Sequence, residues 1–235
     1  MPRLHAAVLA LAASLPLACH GAPPPVAETS VKPGINQDFV DPALDVAKYE
    51  QRFEGESREI FAQRGKIAAL AGVREGMAVA DVGAGTGLFT FLFATRVGDE
   101  GRVYAVDIAP RFIDHIRDVA KQRSLANVEA VLCSDRSVEL PPASVDAVFV
   151  CDTYHHFEYP KNTLASIHRA LRPSGTLLVV DFIRIPGTSR PWILEHVRAG
   201  QDEVTREIEA AGFRKVRDED SSFLHENYVM RFVKA

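Results

Sequence analysis

The period of the hydrophobic positions changes repeatedly along the chain, and each change marks an element. Apolar, valine-rich runs of six or seven residues recur at 77–82 (MAVADV), 102–107 (RVYAVD), 127–132 (NVEAVL), 145–151 (VDAVFVC) and 176–182 (TLLVVDF). Runs of this length and composition read as buried strands. Between them the apolar positions take helical spacing. The stretch 110–123 puts Phe112, Ile113, Ile116, Val119 and Ala120 on one side, and helices are likewise predicted over 161–171 and 201–211. The stretch 87–97 (GLFTFLFATRV) is apolar nearly throughout, which predicts a helix buried on most of its surface. Two final strands are predicted at 213–217 and 226–233.

Strands that alternate with helices call for a parallel sheet covered on both faces, with one antiparallel strand at the edge where the last pair returns. The expected fold class is therefore α/β, doubly wound, with a mostly parallel sheet. Such sheets bind ligands outside the carboxyl ends of their strands, at 82–88, 107–108, 133–136, 151–157 and 182–192 here.

Ahead of the first strand, Asp41 as N-cap and Pro42 at the first helical position predict a helix that Gly55 interrupts. A second helix is predicted from there to Gly72. Residues 21–37 (GAPPPVAETSVKPGINQ) read as an extended linker. The first residues are different again. Arg3 precedes an apolar run from Ala6 to Ala18, broken only by Ser14 and Pro16, which has the length of a signal-peptide core and is too short to span a bilayer. "LPLAC" at 15–19 resembles a bacterial lipobox, although Pro16 stands where leucine is usual. The expected organisation is a signal at 1–18, a linker at 19–40 and one domain at 41–235. The protein is then exported to the periplasm or envelope, with membrane attachment through a lipidated Cys19.

Composition changes the picture in two places. A net charge of −4 over 235 residues leaves no basic footprint for nucleic acid. With Cys19 in the signal region, Cys133 and Cys151 remain, too few for a disulfide framework, and both read as buried thiols.

The candidate chemistry starts at "VADVGAGTG", 79–87. A dinucleotide turn would need glycine where Leu88 stands, and a phosphate loop would need a Lys-Ser/Thr pair. Asp81, just before Gly83, would repel a pyrophosphate and suit an ammonium or sulfonium group. Past the fourth strand, "TYHHFEYP" is dense in groups that can meet a substrate. His155 or His156 is the expected base and Tyr154 a positioning hydroxyl. Adjacent histidines in an extended loop point in opposite directions, and no cysteine or carboxylate cluster completes a ligand set, so no metal is expected. His168 and Asp146 read as packing and turn residues. The segment 184–198, which carries Trp192, reads equally as a substrate-binding insertion or as a packed loop and helix.

In sequence, "VADVGAGTG" resembles motif I of the class I S-adenosylmethionine-dependent methyltransferases. Asp107, at the end of the next strand, "CSDR" at 133–136, "SVDAVFVCDTYHHF" and "HRALRPSGTLLVVDF" follow in that family's order and spacing. The resemblance implies a seven-stranded sheet of order 3-2-1-4-5-7-6 and S-adenosylmethionine as cofactor. It implies cofactor contacts from Asp81, Gly83, Ala84, Gly85, Gly87, Asp107, Ile108, Asp135, Arg136 and Cys151. Asp107 would accept hydrogen bonds from the ribose hydroxyls and Asp135 one from the adenine amino group. The same strand order places Cys133 and Cys151 three strand spacings apart, about 14 Å, beyond disulfide reach. The implied activity is methyl transfer to a small-molecule acceptor. A nucleotide-binding oxidoreductase and a catalytically silent adenosylmethionine-binding protein of the envelope remain as alternatives.

Overall fold

A computed structural model describes residues 27–55 and 58–235; the signal-like segment and Cys19 lie outside the described residues. Seven strands form one sheet: β1 (Ala78–Val82), β2 (Arg102–Asp107), β3 (Val128–Leu132), β4 (Val145–Cys151), β5 (Leu171–Phe182), β6 (Phe213–Asp218) and β7 (Asn227–Lys234). Their order is β3-β2-β1-β4-β5-β7-β6, as the resemblance implies. All neighbours pair in parallel except those of β7, which runs antiparallel to both β5 and β6. The antiparallel strand therefore lies one place in from the edge, and β6 forms the edge itself.

Strand alternation sends successive side chains to opposite faces, so each valine-rich strand feeds two cores. On one face Val79, Val103, Phe149 and Leu178 pack against α3 (Arg64–Leu70) and α4 (Leu88–Val97). On the other, Ala80, Val82, Val148, Val150 and Val179 meet α6 (Pro160–Ala170) and α8 (Gln201–Ala210). Helix α5 (Pro110–Gln122) buries Phe112, Ile113, Ile116 and Ala120, and burying each of the three larger side chains contributes about 1.5–3 kcal/mol. Among the described residues no helix is long and apolar enough to cross a membrane. Cys133 and Cys151 are both free.

The N-terminal helices depart from expectation. Helix α1 (Val46–Phe53) is capped by Asp45, whose side chain accepts from the Ala47 and Lys48 amides. Asp41 instead accepts from the Ala43 amide at 2.8 Å, in a turn of its own. Leu44 explains the delay: it is buried against Ala109 and Phe112, so the chain must turn inward before the helix starts. The second helix divides at Gln63 into α2 (Glu59–Ala62) and α3. Ahead of them, the described part of the Pro/Gly-rich segment is anchored along the domain. Glu28 accepts from the Lys161 and Asn162 amides at the start of α6, and Val31 N–H donates to the Glu158 carbonyl at 3.0 Å.

Candidate active site

At the carboxyl end of β1 the chain turns sharply through Gly83, Gly85 and Gly87, with φ of 74°, 54° and 89°. Only glycine takes these conformations without strain. At Gly83 there is a second reason: a Cβ would lie 2.2 Å from Thr153 Cγ2, in the loop after β4. Two turn amides, those of Gly83 and Ala84, donate to the Val106 carbonyl, which folds the turn onto β2. Gly85 N–H donates to Asp107 Oδ2 at 2.8 Å, and Ala109 N–H donates to Oδ1 at 2.8 Å. Asp107 is only 6% exposed, and burial pushes its pKa up to about 6 against the pull of these backbone donors. Helix α4 begins at Gly87; Asp81 accepts from the Thr90 amide of its first turn, and Leu88 and Phe89 line the same cavity.

That cavity, about 1010 Å³, is bordered at one end by Asp107, Ile108, Cys133, Ser134 and Asp135. It passes under Gly83–Gly85 and ends among His155, His156, Phe182, Trp192 and His196. Over it close Phe39, Tyr49 and Phe53, which pack on one another and on Phe112 with centroids 5.3–6.3 Å apart. Thr86 Oγ1 donates to Glu54 Oε1 at 2.7 Å, which ties the end of α1 to the glycine turn.

Several residues of the expected site are placed elsewhere. Asp81 shares a strand face with Val79, beneath α4, and its Oδ2 accepts from Thr90 Oγ1 at 2.6 Å. It does not border the cavity, and burial raises its pKa to about 7. The alternation of β1, not the nearness of the glycines, decides where its side chain goes. Gly87 serves as the helix N-cap, with a Cβ position 2.6 Å from Phe91, and does not line the cavity. Arg136 turns away and lies 3.4 Å over the Tyr159 ring. Tyr154 is 0% exposed, and its hydroxyl donates to Glu207 Oε2 at 2.7 Å, within an ion pair that Glu207 makes with Arg198. It is a core residue. Tyr154→Phe is expected to lower stability by about 0.5–1.5 kcal/mol, the net worth of one hydrogen bond. Thermal unfolding checks this, and adenosylhomocysteine affinity should stay within about twofold of the native value.

Gly83, Ala84, Gly85, Asp107, Ile108, Asp135 and Cys151 do border the cavity. Burial pushes the Cys133 and Cys151 thiols well above the ordinary range, so neither is a nucleophile at neutral pH.

The histidine pair departs most from expectation. Residues Tyr154–His156 form a 3₁₀ turn, not an extended loop, and this swings both imidazoles to one side with centroids 4.4 Å apart. His155 Nδ1 lies 2.8 Å from Asp181 Oδ1, and its backbone N–H donates to Asp181 Oδ2 at 3.0 Å. His156 Nε2 lies 3.3 Å from His196 Nε2, on α7 (Pro191–His196). Burial and the neighbouring imidazoles push the His156 pKa down to about 2, so it stays neutral and is a weak proton acceptor.

Asp152 also borders the cavity, unanticipated, with a non-glycine φ of 49°. It is paired with Arg58 and accepts from Asn227 Nδ2 at 2.6 Å. Its place in "CDTYHHF" was the available signal. Nothing local marks its partners, which lie 94 and 75 residues away along the chain.

The donor set fits S-adenosylmethionine. The buried Asp107 carboxylate borders the cavity beside the glycine turn, and Asp107 and Glu54 at that turn disfavour a pyrophosphate. Fold and site resemble those of the S-adenosylmethionine-dependent methyltransferase domains of Rossmann-like, class I type. In particular, residues 80–179 match the family described as "Methyltransferase domain". A ubiquinone/menaquinone biosynthesis C-methyltransferase (UbiE) of Marinomonas sp. (strain MWYL1) is 34% identical over 113 residues, 48% of this chain and 45% of that protein. The chain thus spans about half the length of the curated relatives it matches.

Among solved structures, a SAM-dependent methyltransferase from Aquifex aeolicus superposes with a TM-score of 0.70 at 26% identity. That match covers 81% of this chain and 99% of the other. The [4+2]-cyclase SpnF shares the fold at a TM-score of 0.68 and 19% identity, covering 89% and 97% of the two chains. A fold shared with a protein named as a cyclase leaves the reaction to be argued from the site.

Proposed function

We propose that this protein transfers the sulfonium methyl of S-adenosylmethionine to a nucleophilic atom of a small molecule with a flat apolar part. One observation carries the reading: the cavity does not stop at the glycine turn but continues to an aromatic and imidazole-lined end. At about 1010 Å³ it lies at the top of the 300–1,000 Å³ that serve a single drug-sized ligand, so cofactor and acceptor fit together. A silent binding protein would have no use for the second half. The relatives named as C-methyltransferases of quinone biosynthesis support an acceptor that is a small molecule.

When bound, the cofactor supplies a methyl group already activated by positive sulfur. The chain then has to hold two partners in line and exclude water. Asp107 and the glycine turn hold the ribose and methionine end. Phe39, Tyr49 and Phe53 close the cavity over both partners. His155, oriented by Asp181, meets the acceptor. With the cofactor bound, His155 or solvent would take any proton that the attacking atom gives up as the methyl passes to the acceptor's lone pair and adenosylhomocysteine is left.

Calorimetry on the full chain with S-adenosylmethionine, adenosylhomocysteine and NAD tests the cofactor reading, followed by a small-molecule screen for adenosylhomocysteine formation. Both adenosyl compounds should bind; binding of NAD alone would overturn the reading.

The signal-like segment supports a second proposal, that the protein is exported and anchored through Cys19. Cleavage next to Cys19 should appear by mass spectrometry, and Cys19→Ser should move the protein from the membrane to the soluble fraction. An intact N-terminus on a cytosolic protein would refute it.

A further inference from the structure

Three imidazoles converge at the acceptor end of the cavity, two from the 3₁₀ turn after β4 and one from the end of α7. One ring nitrogen from each of His155, His156 and His196 lies within 4.8 Å of the other two. The closest pair, His156 Nε2 and His196 Nε2, stands 3.3 Å apart. With metal–nitrogen bonds of about 2.0–2.1 Å, two nitrogens of a tetrahedral site are separated by about 3.3 Å. His155 is pre-oriented in the manner of a ligand. Its Nδ1 is committed to Asp181 at 2.8 Å, which leaves Nε2 to ligate, and a carboxylate behind an imidazole is the usual outer partner of a metal-bound histidine.

The surrounding chain fixes the other two rings from outside. Trp192 stacks on His196 at 4.8 Å, Lys32 Nζ donates to the His196 carbonyl at 2.6 Å, and Asn36 Nδ2 donates to the His156 carbonyl at 3.0 Å. A hydrogen bond between His156 and His196 would account for that pair alone. It leaves unexplained why His155, with its own carboxylate, meets them. His156 Nδ1 is buried without a partner, so whatever holds this ring acts at its Nε2 side.

We propose that His155, His156 and His196 form a binding site for a first-row transition-metal ion, with Zn²⁺ as the fitting probe. Asp181 is the outer partner of His155, and a fourth position is open to the cavity. Three histidines with an open position make the ligand set of catalytic rather than structural zinc, and an all-imidazole set disfavours Mg²⁺ and Ca²⁺. The site reverses the expectation of no metal, because the 3₁₀ turn puts on one side two rings that an extended loop would separate. It selects acceptors that carry an oxygen or sulfur donor able to occupy the open position. This last point rests on reading that end of the cavity as the acceptor end; metal binding itself does not.

The test uses the full-length protein, stripped with a chelator and titrated with Zn²⁺ and Co²⁺. Calorimetry should show one Zn²⁺ per chain, and Co²⁺ should give the visible bands of a tetrahedral ion. His196→Ala should weaken Zn²⁺ binding by at least a hundredfold, and Asp181→Asn by ten- to a hundredfold. Adenosylhomocysteine affinity, measured on the same samples, should stay within about twofold for His196→Ala. That readout shows that the variant is folded, and it separates failure of the metal site from failure of the cofactor reading. The proposal is overturned if the native protein takes up neither ion, or if His196→Ala binds Zn²⁺ as tightly as the native chain.

Discussion

Asp107→Asn lowers the affinity for adenosylhomocysteine by more than a hundredfold and leaves the protein folded. The carboxylate already accepts from the backbone N–H groups of Gly85, Ala109 and Ile108, and it borders the cavity. The two hydrogen bonds that a ribose diol gives to a carboxylate are worth about 1.5–3 kcal/mol each, and each 1.4 kcal/mol is tenfold in affinity. Asparagine offers one acceptor oxygen, and its amide group must face one of the backbone donors. The fold tolerates the change because ionised Asp107 is itself costly: burial has raised its pKa to about 6.

That pKa sets a pH dependence. Ribose hydroxyls favour the ionised carboxylate, so native affinity holds above pH 7 and falls as pH drops through 6, whereas the affinity of the Asn variant stays level over that range. Stability moves the other way. A folded-state value above the ordinary 3.8 means that the ionised group costs stability above pH 6, and the cost is relieved as pH falls from 6 toward 3.8. Loss of affinity on mild acidification therefore does not come from unfolding through this group. Equal affinity for native and variant would show that the ribose lies elsewhere.

The parts of this molecule that could be read from the sequence are those written in local pattern. Val79, Val103 and Val148 belong to runs whose only favourable place is a buried parallel strand, and the glycines at 83, 85 and 87 announce a turn that a ligand approaches. Asp107 and Asp135 follow from the resemblance to the family's motifs, whose order and spacing the chain repeats. What escaped is set by geometry that local pattern does not carry. The side chain of Asp81 follows the strand period under α4, so its position beside the glycines was misleading. Tyr154 and His155 are adjacent, yet the 3₁₀ turn sends one into the core against Glu207 and the other into the cavity against Asp181. The partners that give His155 and His156 their setting, Asp181 and His196, come from 26 and 40 residues further along. No periodicity within a loop can announce such pairings.

His155 is the side chain whose removal should cost most in turnover. Its Nδ1 and backbone N–H both engage Asp181, a carboxylate at the end of β5, so the ring is held in one orientation with Nε2 as its free nitrogen. With no metal ion on Nε2, an imidazole so held is fitted to accept a proton from the attacking atom of an acceptor, and general-base contributions run to 10²–10⁴. An ion there would take that lone pair, and His155 would then act by holding the ion. Once the acceptor is known from the screen, His155→Ala should lower turnover by that factor while adenosylhomocysteine affinity stays within about twofold. His155→Ala also strands a buried carboxylate, so thermal unfolding must accompany the kinetics. Asp181→Asn supplies the second measurement: it keeps the imidazole but removes what fixes its tautomer, and turnover should fall without a matching rise in KM. His156 differs because burial and the neighbouring imidazoles hold its pKa well below the ordinary value, which makes it a weak proton acceptor. Its loss should therefore raise KM more than it lowers kcat. Native turnover in His155→Ala across pH 6–9 would take this residue out of the chemistry altogether.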